Sequence, residues 1–223
     1  MAITDAIVHY RRFLKRRNYS PHTIRNYMYT LRQFILWVDV PIERVTHKIL
    51  LSYIDHLLDR RLNPKTINCH LDSIRGFYNY LIHEEPVAMV HPIKRGYTLR
   101  LSRPLPRYLR EEHVARLFSA IRSRRDRAMF MLMLRCGLRV EEVANLTLAS
   151  IDLRRMQLIV YEGKGRKDRI VYLSRDALQA LIDYLRVRSS LRARKVFLVE
   201  KGTYRGKGLS VRGIQKRMEY YAK

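Results

Sequence analysis

Two stretches of this chain are written to one design. SPHTIRNYMYTLRQFILWV from Ser20 and NPKTINCHLDSIRGFYNYL from Asn63 align without gaps at a constant offset of 43 residues. Each opens on a capping residue followed by proline, the order expected at a helix N-cap and first helical position. Pro21/Pro64, Thr23/Thr66, Ile24/Ile67, Leu31/Ile74, Arg32/Arg75 and Phe34/Phe77 coincide. Their apolar residues recur at helical spacing, so both segments are expected to bury the same face. Thr4 and Thr46 open two further helical patterns, one carrying Tyr10 and Leu14, the other Leu50, Tyr53, Ile54 and Leu57. Residues 1–85 therefore predict a compact four-helix bundle, with Tyr27, Phe34, Trp37, Phe77 and Tyr78 in its core.

The helical pattern breaks over residues 86–106, where Pro86, Pro92, Pro104 and Pro106 alternate with cations including Lys94 and Arg95. This composition predicts a basic, extended linker. A second domain is expected over residues 107–223, with a strand at Val196–Val199 and closing helices capped by Ser174 and Ser210. An apolar share of 47% supports packed cores, while a formal charge of +25 points to a polyanionic partner, nucleic acid before an anionic membrane. No signal peptide and no long apolar run is visible, so a cytoplasmic protein without a membrane role is expected. Cys69 and Cys136 lie far apart within apolar patterns and read as core thiols. No cofactor is called for.

The second domain centres on Arg125–Leu173. Ala128–Leu134 reads as a buried helix ending at Gly137, followed by a short helix with Val140, Val143 and Ala144 on one face. Leu158–Tyr161 and Ile170–Leu173 are rich in β-branched residues and flank a Gly-x-Gly turn, which reads as a hairpin. The class is mainly α with a small β-sheet (α+β). Arg139 begins the short helix, where a positive charge opposes the helix dipole, while Glu141 and Glu142 suit that turn. A lone violation of a local rule is commoner at functional sites than elsewhere. Lys164 stands in the hairpin turn between two glycines.

GLRVEEVANL, then ASIDL, then GKGRKDRIV resembles the first part of the catalytic domain of tyrosine recombinases, the phage-integrase and Xer-type family. The repeat resembles that family's SAM-like core-binding domain. The resemblance implies site-specific recombination of double-stranded DNA through a 3′-phosphotyrosyl intermediate, performed by protomers assembled on the DNA. It makes Arg139 the clamp on the scissile phosphate, Lys164 the general acid toward the leaving 5′-hydroxyl, and Glu142 the support of the arginine. That division suits the chemistry: a guanidinium fork fits phosphate oxygens, and a lysine crowded by cations can give up a proton. Thr23, Arg25, Lys65, Thr66, Asn68 and Arg75 occupy helical positions from which such domains contact DNA. Lys94, Arg95, Arg166 and Lys167 extend the candidate DNA-binding set.

The same family places a His-x-x-Arg motif and a nucleophilic tyrosine further on. All eight histidines of this chain lie between His9 and His113. Tyr220 and Tyr221 fall where the family has an ordinary helix. These residues are thus expected to form a truncated catalytic domain that binds DNA without cleaving it alone. A non-catalytic DNA-binding protein with a recombinase-derived fold is the alternative.

Overall fold

A computed structural model describes residues 3–85, 88–102, 104–105, 108–161, 167–188 and 192–223. The chain forms two compact units, Met1–Leu105 and Pro106–Lys223.

Among its described residues the first unit holds four α-helices: α1 (Ile3–Arg16), α2 (Pro21–Trp37), α3 (His47–Asp59) and α4 (Pro64–Glu84). Local chemistry starts three of them. The Ser20 hydroxyl accepts from the Thr23 N–H, the Thr46 hydroxyl from the Ile49 N–H and the Asn63 side chain from the Lys65 N–H. Each satisfies a backbone donor that the first helical turn leaves without a partner. The repeated helices α2 and α4 pack on each other. Their equivalent residues Thr30 and Ser73 meet, hydroxyl to hydroxyl, at 2.5 Å. Thr30 donates to Ser73, which passes its own proton to the Cys69 carbonyl four residues back, so small side chains sit at the contact with no polar group stranded. Ile24, Leu31, Phe34 and their counterparts Ile67, Ile74 and Phe77 are all buried. Gly76 is required beside them, because a Cβ there would stand 2.6 Å from the Tyr10 hydroxyl.

Two expectations for this unit need correction. The stretch after α4 is no free tether: Ile93 is buried in the bundle core, with Met89, Tyr97 and Leu99 packed against it. Asn68 both donates to the Leu99 carbonyl and accepts from its N–H, at 3.0 and 2.9 Å. Arg75 donates to the Tyr97 carbonyl at 2.8 Å, and the His47 ring meets the Pro92 carbonyl at 2.9 Å. A few apolar residues between prolines suffice to anchor it. Cys69 is exposed rather than in the core, and Cys136 is half-buried.

The second unit contains α5 (Glu111–Ala120), α6 (Arg124–Cys136), α7 (Val140–Asn145), strands β1 (Ile151–Asp152), β2 (Gln157–Val160) and β3 (Arg169–Tyr172), then α8 (Arg175–Val187) and α9 (Val211–Tyr221). Gly137 ends α6 in the left-handed region at φ +65°, which a side chain would strain. The sheet runs β1-β2-β3, antiparallel throughout, with Leu158 opposite Val171 and Val160 opposite Arg169. Leu158 and Val160 enter the core formed by α6, α7 and α8.

Val196–Val199 forms no strand. Its polar backbone is satisfied piecemeal, by the Tyr184 hydroxyl, the guanidiniums of Arg125 and Arg188, the Leu146 carbonyl, the Gly206 N–H and one isolated bridge from Leu198 to Gly208. Ser174 precedes α8 without accepting a capping bond. Its hydroxyl donates to Asp176, and that carboxylate accepts the Ala177 N–H instead.

Candidate active site around Arg139

Helix α7 has only six residues, too few to be stable through its own hydrogen bonds. A tertiary contact holds one of its ends and a local cap the other. At the C-terminus the Lys195 ammonium donates to the Ala144 carbonyl at 3.1 Å and to the Asn145 side chain at 2.6 Å. A cation there suits the helix dipole. At the N-terminus the Glu142 carboxylate, 6% exposed, accepts the backbone N–H of Arg139 at 2.8 Å.

The same carboxylate gathers two guanidiniums. Arg139 Nη1 reaches Glu142 Oε1 at 3.0 Å. Arg169, from β3, grips both oxygens, Nη1 to Oε1 at 2.7 Å and Nη2 to Oε2 at 2.8 Å. The Arg169 hydrogen bonds, followed by those from Arg139, outweigh burial and hold the Glu142 carboxyl down at about 2. It is an anion at every physiological pH. Arg139 keeps its side chain 58% exposed, so a fixed guanidinium faces solvent at the start of α7. Such a group can donate a planar fork to a phosphate.

Arg139 and Glu142 are thus brought together. Lys164 and Arg166 lie outside the described residues, and Lys167 is exposed beside the hairpin. In the first unit Lys65 and Thr66 are exposed in the first turn of α4 and Arg25 at the start of the second turn of α2, while Thr23 is half-buried with its hydroxyl on Ser20. Lys94 and Arg95 are exposed on the turn that precedes Tyr97. Asn68 and Arg75 are engaged inside the unit, Arg75 also with Asp72 at 2.6 Å.

Sequence reasoning passed over Arg169, although it lies within the quoted hairpin motif. The signal was its register: alternation from Val171 puts Arg169 on the covered face of β3, opposite buried Val160. A cation on a covered face requires a carboxylate.

A second buried ionic cluster lies at the C-terminal helix. Asp126, fully buried on α6, accepts from Arg125 Nε at 2.8 Å, Arg217 Nε at 2.6 Å and the Tyr221 hydroxyl at 3.1 Å. Burial, with the Asp126 charge second, raises the Tyr221 phenol above its usual range, which opposes formation of a nucleophilic phenolate.

Residues 107–223 match the phage integrase family, and residues 7–85 match the phage integrase N-terminal SAM-like domain. The chain belongs to the phage integrase family of tyrosine recombinases. It is 30% identical over 213 residues to tyrosine recombinase XerC of Thermodesulfovibrio yellowstonii, covering 92% of this chain and 70% of that protein. Tyrosine recombinase XerA of Thermococcus kodakarensis is 29% identical over 219 residues, covering 97% and 73%. The fold is shared with a lambda integrase (75–356) dimer bound to a COC′ core site, at a TM-score of 0.78 and 17% identity, covering 100% of this chain and 78% of that one. It is also shared with the Tn1549 transposon integrase in complex with a circular intermediate DNA, at 0.72 and 16%, covering 96% and 78%. Among the described residues, no helix is long and apolar enough to cross a membrane.

Proposed function

We propose that this chain binds double-stranded DNA and supplies the phosphate-holding half of a tyrosine-recombinase active site. The carrying observation is the exposed guanidinium of Arg139, fixed at the start of α7 by a buried carboxylate. Arg139 takes a non-bridging oxygen of the scissile phosphate and stabilises the charge that grows there during transfer. Lys164, which lies in sequence between β2 and β3, donates the proton to the leaving 5′-hydroxyl. Arg25, Lys65, Thr66, Lys94 and Arg95 track the DNA backbone, which fixes register without reading sequence. A net charge of +25 supplies the long-range attraction. DNA-bound lambda and Tn1549 integrases of the same fold support this reading. So does a lambda integrase tetramer on a Holliday junction, which supports assembly of several protomers on DNA. On this reading the protein works in the cytoplasm, at the nucleoid.

The second reading is a DNA-binding module that keeps this fold without strand cleavage. Both readings predict a preference for duplex DNA over structured RNA and binding that weakens with salt, by about 0.9 in log K per log salt for each phosphate neutralised. A competition titration across a salt series tests this. A flat salt response, or equal affinity for structured RNA, rejects both.

A further inference from the structure

One carboxylate stands between two guanidiniums, and the division of its oxygens is uneven. The Arg169 guanidinium donates to both Glu142 oxygens, while the Arg139 guanidinium donates to one of them through one N–H and the Arg139 backbone N–H takes the other. An arginine carries five N–H donors, so most of the Arg139 fork stays free. The two cations share one anion, and together they leave the cluster a net positive charge. The cation that remains uncovered is Arg139, 58% exposed against 34% for Arg169.

We infer that Arg169 is a positioning residue for the phosphate clamp: it saturates Glu142 and so keeps that carboxylate from capturing Arg139. Without Arg169, the two Glu142 oxygens are open to the fork of Arg139, three residues away on the same helical turn. A bidentate guanidinium–carboxylate pair is the strong form of this contact. It would turn the Arg139 fork away from solvent and cancel the charge a phosphate needs. With Arg169 in place, Glu142 still orients Arg139 through its backbone N–H and one Nη1 bond, but cannot neutralise it. Arg169 also ties β3 to α7, so the strand that closes the hairpin and the helix that begins at Arg139 are held by one ion cluster. This inference rests on Arg139 being a phosphate ligand.

The test is the affinity of the full chain for a short fluorescein-labelled duplex, read by anisotropy across a salt series. The variants are Arg139→Met, Arg169→Met, Glu142→Gln, Arg169→Met/Glu142→Gln and Arg139→Met/Arg169→Met. Arg139→Met is expected to weaken binding about tenfold or more and to lower the salt slope by about 0.9, the loss of one phosphate contact. Arg169→Met should do the same although Arg169 spends two of its N–H groups on Glu142 and is the less exposed of the two cations. Two further results distinguish this from other roles. Arg169→Met/Glu142→Gln should bind as Glu142→Gln does, because a neutral amide has no charge with which to cancel Arg139. Arg169→Met should add nothing in the Arg139→Met background.

An Arg169→Met effect that persists without Arg139 would mean that Arg169 meets phosphate itself, and would overturn the inference. So would an Arg169→Met/Glu142→Gln double variant that binds as weakly as Arg169→Met alone, the result of a packing role. If Arg169→Met does not fold, the comparison of Glu142→Gln with the double variant still decides, since it leaves no uncompensated buried carboxylate. Loss of affinity on Arg139→Met without loss on Arg169→Met overturns the inference and leaves the proposed function standing. A flat salt response of the unmodified chain overturns both.

Discussion

Asp126→Ala is the perturbation whose cost the structure best defines. The carboxylate is fully buried and accepts from two guanidiniums and a phenol. Arg217 is 34% exposed and can turn toward water once released. Arg125, 8% exposed along its side chain, cannot. It keeps its bond to the Leu198 carbonyl at 2.9 Å and a half-exposed Glu200 at 3.5 Å. Breaking one side of a buried ion pair costs about 3–5 kcal/mol, mostly from the charge left behind. Because Glu200 partly offsets that charge, the lower end of the range, about 3 kcal/mol, is expected. With a urea dependence of about 2 kcal/mol per molar, the unfolding midpoint of the second unit should fall by roughly 1.5 M. The only tryptophan, Trp37, lies in the first unit, so its fluorescence cannot report this change. Hydrogen exchange of α6 and α9 against urea can. Arg125→Met/Asp126→Leu/Arg217→Met/Tyr221→Phe removes the cluster together and should recover most of the loss, since apolar replacement of a whole buried cluster is often neutral. A quadruple variant as unstable as Asp126→Ala would refute the argument from the orphaned charge.

Two further outcomes follow from particular contacts. Gly76→Ala forces a Cβ to 2.6 Å from the Tyr10 hydroxyl and should cost about 1–3 kcal/mol in urea unfolding. Tyr10→Phe removes that oxygen, which is buried without a hydrogen-bond partner among the described residues, and should be neutral or stabilising alone and rescue Gly76→Ala. Glu142 titrates near 2 when folded, below the ordinary 4.5, so its contribution to stability is complete above 4.5 and is lost as pH falls toward 2. Acid unfolding of Glu142→Gln should therefore lose part of its pH dependence within that window, and an unchanged profile would contradict the ion cluster.

What the sequence made legible was whatever obeys local rules. Ser20-Pro21, Thr46, Asn63-Pro64 and Ser210 begin helices where capping chemistry places them, and Gly137 ends α6. The gapless repeat announced two equivalent helices, and their contact at Thr30 and Ser73 is its structural expression. Arg139 and Glu142 were readable through the resemblance carried by GLRVEEVANL, and their three-residue spacing makes them neighbours on a helix. Contacts between distant residues left little trace. The Asp126–Arg217 pair spans 91 residues, and Arg169 meets Glu142 from 27 residues away. The post-α4 segment looked like a tether because Ile93, Tyr97 and Leu99 follow no period among prolines and cations. The two-residue strand β1 is too short to carry any alternation. Val196–Val199 has strand composition, yet side-chain groups rather than a ladder satisfy much of its backbone.

A nicked suicide duplex run in parallel on native and denaturing gels tests the central claim most directly. If these residues hold the phosphate side of the site and no nucleophile, the chain shifts the duplex on the native gel, the shift fades with salt, and denaturation releases all of the protein. Protein that stays attached through Tyr220 or Tyr221 would contradict the account, and so would a duplex that never shifts.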